Sequence, residues 1–255
     1  MNWEIIRFTV PYTTGMTTSI ICASSFVLFI YLDPKTRFGN SLDTFVIQRR
    51  TLITVLTCLF STILVYYYVP NVNMRLLGIA IPTFRDIIDL LVVVILFIGP
   101  LYCDFKLGGH LPRYNQVWIV LRALVIAPIF EEYIFRSIVI LLWNCIGLSH
   151  SKITFLSPLL FGIAHLHHAI FKLSNGHSFI STILVTCFQL LYTTLFGWYQ
   201  AHVYNVRGNL FIVILVHSFC NNMGFPDIKT QFKITGGPLM YIVGLLGFVA
   251  CLFIE

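Results

Sequence analysis

The residues best suited to chemistry lie in 127–136, Ala-Pro-Ile-Phe-Glu-Glu-Tyr-Ile-Phe-Arg, where two adjacent carboxylates and an arginine interrupt an apolar run. In a bilayer each ionisable group costs roughly 2.5–3.5 kcal/mol to insert, so such groups are usually there for a function. Helical geometry sorts the three. Glu132 and Arg136 are four positions apart and share a face, where they can pair. Glu131 is turned about 100° away from Glu132. The spacing therefore assigns Glu132 and Arg136 to a structural pair and Glu131 to the work.

Two more polar groups interrupt apolar stretches. One is Phe161-Gly-Ile-Ala-His165, followed by His167 and His168; the other is His217-Ser-Phe-Cys-Asn221-Asn222. His217 and Asn221 are again four apart and project from one helical face. Taken singly, an intramembrane histidine usually bonds one helix to another. A carboxylate, two imidazoles and a carboxamide at membrane depth on three helices are harder to explain as separate packing accidents. A carboxylate in a low dielectric has a raised proton affinity and serves as a general base. An imidazole beside it helps orient and deprotonate water. A second imidazole and a carboxamide offer two N–H donors to a developing oxyanion. That is the equipment for amide hydrolysis, in which a general base typically contributes roughly 10²–10⁴-fold. Glu131, His165 and His217 are also the ligand types of a catalytic zinc site, so a metal-assisted version stays open on the residues alone. The metalloprotease, serine-hydrolase and P-loop signatures are absent.

These groups need helices to hold them. The chain has 255 residues, 58% hydrophobic and 10% charged, with a mean hydropathy of +0.87. A soluble domain carries about 25% charged residues. The composition predicts an all-α, polytopic transmembrane helical bundle with its active site within the membrane. Apolar segments at 16–32, 51–69, 87–103, 117–143, 153–165, 179–202, 210–223 and 238–254 give about eight spans. The first is read as a retained span rather than a signal peptide. Pro128, inside the fourth, should kink it and free the carbonyl of Leu124 one turn earlier. Asp86 and Asp89 read as charges at a helix N-terminus. Seven scattered cysteines, odd in number and without C-x-x-C, read as small buried hydrophobes. The net charge of +6 is spread over short loops; it implies anchoring at the membrane face and no nucleic-acid partner. Four Lys/Arg in 33–50, with Lys106 and Arg113 in 104–116, place those loops in the cytosol and the N-terminus in the lumen. Residues 1–255 are expected to form one integral-membrane domain, with N-terminal spans over 1–116, a catalytic core over 117–226 and a last span over 238–254.

The polar stretches together resemble the type II CAAX prenyl endopeptidases, the Ras-converting proteases within the ABI/CPBP intramembrane glutamate protease family. The family pattern E-E-x-x-x-R, F-x-x-x-H, H-x-x-x-N is met in order by Glu131-Glu132-x-x-x-Arg136, Phe161-x-x-x-His165 and His217-x-x-x-Asn221. Flanking matches carry the likeness over residues 117–226. They include Ala-Pro before the glutamates, His165-Leu-His167-His168, Phe188-Gln189-x-x-Tyr192-Thr193-x-x-Phe196-Gly197-x-Tyr199 and the continuation to Pro226. The resemblance implies a multi-pass enzyme of the endoplasmic reticulum membrane that removes the last three residues of farnesylated or geranylgeranylated CAAX proteins, such as small GTPases, from within the lipid bilayer. It implies that Glu131 and His165 activate water and that His217 and Asn221 stabilise the oxyanion. Glu132 and Arg136 support them, and no metal or other cofactor takes part. The rival readings are the same hydrolysis through zinc, a non-enzymatic membrane scaffold, and a proton-coupled carrier. The carrier is disfavoured because no repeat halves are present.

Overall fold

The inward faces of the first two long helices are built from small residues, and this decides how they pack. α1 (Tyr12–Leu32) buries Gly15, Thr18, Ser19, Cys22, Ala23 and Ser25. α2 (Thr44–Tyr68) buries Thr54, Thr57, Cys58, Ser61 and Val65, while Leu52, Leu56, Leu59 and Ile63 on another face are more than half exposed. A water-soluble helix has the reverse arrangement. Small residues inward and leucine outward is the pattern of helices that meet in lipid, where close backbone approach replaces the hydrophobic drive.

The computed structural model describes residues 3–40, 42–109 and 116–252. Among them there is no strand. After α1 and α2 come α3 (Phe84–Leu96) and α4 (Ile98–Lys106), then a helical stretch over 117–145 (α5). α6 (His150–Ala164), α7 (His167–Ser174), α8 (Phe179–Arg207), α9 (Leu210–Met223), the short α10 (Ile228–Gln231) and α11 (Gly237–Leu252) follow. Over its described residues each of the eight apolar segments is thus largely helical. Among the described residues, four helical stretches are long and apolar enough to cross a membrane by length and composition: α1, α2, α6 with α7, and α8. A fifth joins α3 to α4, which are bent by 58° at Phe97. At 14 and 16 residues, α9 and α11 extend about 21–24 Å, short of the ~30 Å hydrocarbon core. Arg113, which entered the orientation reading, and Ile254 at the end of the last expected span lie outside the described residues.

The chain forms two compact units. The first comprises Met1–Ala80 and Ile129–Val213, the second Ile81–Pro128 and Ile214–Glu255. The expected core over 117–226 contributes to both. In the first unit, residues 134–145 of α5 are buried all round. Trp143 donates its indole N–H to Ser19 of α1 (2.9 Å), the Tyr133 and Thr62 hydroxyls share a hydrogen bond (2.6 Å), and Ser137 donates to the Leu77 carbonyl (2.7 Å). α6 and α8 meet through Gly162, which faces Leu190 and Thr194, and Gly197, which faces Pro158. Ser178 caps the start of α8, and Gly208, with φ +65°, ends it in the left-handed region that glycine enters without a Cβ clash.

In the second unit α11 packs against α3 and α4, where Gly99 abuts Tyr241 and Gly244 abuts the carbonyls of Ile95 and Leu96. Asp86 accepts from the backbone N–H and hydroxyl of Thr83, as a capping residue does. All seven cysteines are free, but only Cys22, Cys58, Cys103 and Cys145 are buried; Cys187 is exposed on α8. The general reading of cysteine as a core residue therefore fails at that position. On a helix whose outer face meets lipid, an apolar thiol need not point inward.

Asp33, just beyond α1, accepts from Arg49 Nε (2.6 Å) and Nη2 (3.1 Å) and from the Thr36 hydroxyl (2.7 Å). The Arg49 bond, with help from Thr36, holds its carboxyl down at about 2, against an ordinary 3.8. A lowered carboxyl pKa stabilises the fold above its unfolded value and loses that contribution as pH falls through the folded one. The melting-temperature gap between wild type and Asp33→Asn in detergent should be constant from neutral pH down to about 4 and then close towards pH 2; a gap that does not narrow there would show that this pair does not act through the carboxylate. A Cβ at position 197 would come 2.8 Å from Pro158 Cβ, and the proline ring cannot turn aside. Gly197→Val should therefore cost about 1–3 kcal/mol, read as a lower melting temperature; an unchanged value would mean that α6 and α8 do not depend on this approach.

Candidate active site

The segment that carries the glutamates is not a plain α-helix. Residues Arg122–Ile126 and Tyr133–Ile138 are π-helical and flank the α-helical turns Ala127–Glu132. The Ala127 N–H reaches back to the Arg122 carbonyl and the Val139 N–H to Ile134, both five residues back. Single π turns of this kind are frequent at functional sites, since the extra residue re-aims the side chains around it.

In the first unit, Glu132 and Arg136 are sealed from solvent, at 0% and 1% exposure. Arg136 Nε lies 3.1 Å from Glu132 Oε2. The contact falls short of hydrogen-bond alignment at that nitrogen and holds mainly by charge. The expected i, i+4 pair is therefore present, although a π turn follows Glu132. Glu131 is only half-buried, and its charge acts on Arg136 as well. The two adjacent carboxylates thus occupy different environments.

Phe161 joins this pair to the histidine of the second stretch. The Arg136 guanidinium lies 4.6 Å from the centre of the Phe161 ring, a cation–π contact. The Phe161 ring meets the His165 imidazole edge-on, with centroids 4.6 Å apart. His165 is the residue that caps the end of α6, with Leu166 between it and α7, and its Nδ1 lies 2.8 Å from the Phe161 carbonyl oxygen. A carbonyl can only accept, so Nδ1 carries the proton, and in the neutral ring Nε2 is left as the base. Phe161 was part of the motif in the sequence, but nothing in its spacing revealed that it lies between cation and imidazole.

His167 and His168 have other company. His167 Nδ1 bonds the Ala164 carbonyl (2.5 Å), and its own carbonyl accepts from the Tyr31 hydroxyl (3.0 Å). The His167 and His168 rings lie 4.0 Å apart. These contacts secure the break between α6 and α7.

The second unit holds His217 and Asn221 on α9. His217 is buried and Asn221 half-buried. Asn221 Nδ2 donates to the Ala123 carbonyl (2.9 Å), and the neighbouring Ser218 hydroxyl donates to the Leu124 carbonyl (2.6 Å). Leu124 is the acceptor that Pro128 was expected to orphan. Ala123 loses its usual partner for a second reason, because the Ala127 N–H is drawn to Arg122. One carboxamide hydrogen of Asn221 is committed in this way, and one remains to donate elsewhere. Among the described residues no three His, Cys, Asp or Glu side chains are grouped as metal ligands.

With this geometry in hand, the comparisons with known proteins are specific. The family model described as type II CAAX prenyl endopeptidase Rce1-like matches residues 113–223, the segment that holds all three polar stretches. The chain is 34% identical over 222 residues to the probable CAAX prenyl protease 2 of Schizosaccharomyces pombe, covering 82% of this chain and 80% of that protein. It is 37% identical over 158 residues to CAAX prenyl protease 2 of Homo sapiens, covering 56% of this chain and 47% of the human one. The corresponding protein of Saccharomyces cerevisiae is 41% identical over 120 residues, 45% of this chain and 38% of its own. The matched regions thus span less than half the length of the human and budding-yeast relatives. No solved structure matches the chain. A relative at this identity, aligned over four-fifths of both chains, leaves no room for a chance likeness, and the chain belongs to the Rce1-like family of type II CAAX prenyl endopeptidases.

Proposed function

We propose that this protein is an intramembrane endopeptidase that removes the C-terminal aaX tripeptide from prenylated CAAX proteins, with small GTPases among its substrates and the endoplasmic reticulum membrane as its place of action. Glu131 takes a proton from water, His165 orients and assists through Nε2, and the resulting hydroxide adds to the carbonyl carbon of the prenylated cysteine. His217 and Asn221 donate to the oxyanion that forms. Collapse of the adduct breaks the C–N bond, the proton passes to the leaving amine, and the products are a prenyl-cysteine carboxylate and a free tripeptide.

The observation that carries this reading is the division of labour between neighbouring carboxylates. Glu132 is sealed against Arg136, whereas Glu131 is half-buried. A group sealed in a buried ion pair is a poor proton acceptor; a half-buried one can meet water and substrate. The tautomer of His165, set by the Phe161 carbonyl, supports the same reading, since the nitrogen left over is the basic one.

The decisive assay follows tripeptide release from a farnesylated Cys-aliphatic-aliphatic-X peptide, using membranes of cells that lack their own prenyl protease. Glu131→Ala should lower the rate at least about 10²-fold at matched expression, and a zinc chelator should leave the wild type unaffected. Cleavage lost to the chelator and restored by zinc would replace this mechanism with the metal-assisted one. An undiminished Glu131→Ala variant would remove the glutamate mechanism altogether.

Glu132 should behave differently. Glu132→Gln strands a buried guanidinium, which costs about 3–5 kcal/mol, and should depress the melting temperature and the yield of folded protein. Glu131→Gln should melt close to wild type while losing activity. Equal melting behaviour of the two variants would contradict the assignment of one carboxylate to structure and the other to catalysis.

A further inference from the structure

Several helical hydroxyls among the described residues return to their own backbone. Thr51, Thr54, Thr57 and Thr193 each donate to a carbonyl four residues back on the same helix. Ser218 does not. Its hydroxyl crosses from α9 to the carbonyl of Leu124, 94 positions away in sequence, at 2.6 Å. Three residues on, along the same face, Asn221 makes the matching bond to Ala123 at 2.9 Å. The two acceptors are adjacent, and each lacks its ordinary helical donor for a reason already given: Pro128 has no N–H, and the Ala127 N–H goes to Arg122.

From this we infer that Ser218 is a positioning residue of the enzyme: together with Asn221 it pins α9 to the two carbonyls released by the break in residues 122–128, and so fixes where His217 and the second amide hydrogen of Asn221 point. The inference rests on the proposed role of His217 and Asn221 as oxyanion donors. Its logic is one of register. A helix held through a single bond can rotate about that bond. Two bonds one turn apart, at residues 218 and 221, stop both rotation and sliding. His217 is covalently next to the first anchor, and Asn221 is itself the second. Donors count only when they sit about 2.7–3.1 Å from the transition-state oxygen, so losing one anchor should reduce turnover more than substrate binding.

The test measures kcat and KM of tripeptide release from a farnesylated peptide in membranes, at equal amounts of folded enzyme. Ser218→Ala should lower kcat by about 10-fold to 100-fold, the range expected for a small misplacement of reacting groups, with KM nearly unchanged. Ser218→Thr, which keeps the hydroxyl, should restore most of the rate. If Ser218→Ala is not recovered folded, Ser218→Cys replaces it, filling the same space with a much weaker donor. Pro128→Ala supplies a backbone N–H to Leu124, so Ser218→Ala should cost much less in that background than in wild type. The inference is overturned if kcat of Ser218→Ala equals wild type, if the Thr variant is as impaired as the Ala variant, or if the Pro128 and Ser218 substitutions are simply additive. Asn221→Ala and His217→Ala serve as reference variants. If these keep full activity, the oxyanion reading itself fails; if they are inactive while Ser218→Ala is not, the failure belongs to the Ser218 inference alone.

Discussion

A guanidinium at 1% exposure must be held by charge, and in this protein Arg136 is held by Glu132 one helical turn earlier. The pair gains little net stability, because desolvating both ions offsets most of their attraction. Its importance lies in what it forbids. Neither member can move without stranding the other, and the pair reaches from Glu132 into the π turn at Tyr133–Ile138. Phe161 extends the constraint: its ring contacts both the Arg136 guanidinium and the His165 imidazole. Its carbonyl also sets the tautomer of that histidine. One buried ion pair is therefore linked through Phe161 to His165 and lies next in sequence to Glu131, the two groups proposed to activate water.

The second constraint is the apolar medium's intolerance of bare backbone. With no water to bond it, an unsatisfied carbonyl costs several kcal/mol. A helix broken by Pro128 and loosened by a π turn exposes two such carbonyls in succession, and side chains of α9 fill both. The break is thus tied to a helix that also carries proposed catalytic groups. Irregular backbone here is a means of attaching one functional element to another.

These two constraints were legible in the sequence to different depths. The Glu132–Arg136 pair followed from i, i+4 spacing, and the orphaned Leu124 carbonyl followed from Pro128, because both are consequences of local covalent geometry. The partners were not legible. Whether Ser218 turns to its own helix or to Leu124, and whether Phe161 lies over Arg136, depends on which helices meet. No single-chain periodicity encodes that. The π turns were missed for the same reason, since an i→i+5 bond has no residue signature and is chosen by the packing around it. The apolar segments located the helices correctly, yet hydropathy does not register the 58° bend between α3 and α4. Gly99 and Pro100 lie there, and only the fit of Gly99 against Tyr241 gives the first of them a purpose.

The family relationship and the physical reading bear on different questions, and each limits the other. Similarity over residues 113–223 identifies the polar stretches as a set, but it cannot say why two neighbouring glutamates should differ. Burial can: one is sealed from solvent with a cation and the other is half-buried. Conversely, burial alone would not distinguish a hydrolase from a scaffold that happens to hide an ion pair. What argues against a scaffold is the relationship to proteins named as CAAX prenyl proteases, and the setting of His165 is compatible with it. At His165 only Nδ1 is taken by its own helix, through the Phe161 carbonyl. Here the helix ends at that residue. The break between α6 and α7 leaves the ring half-exposed at a terminus, where a water or a substrate, rather than a neighbouring turn, can complete its bonding.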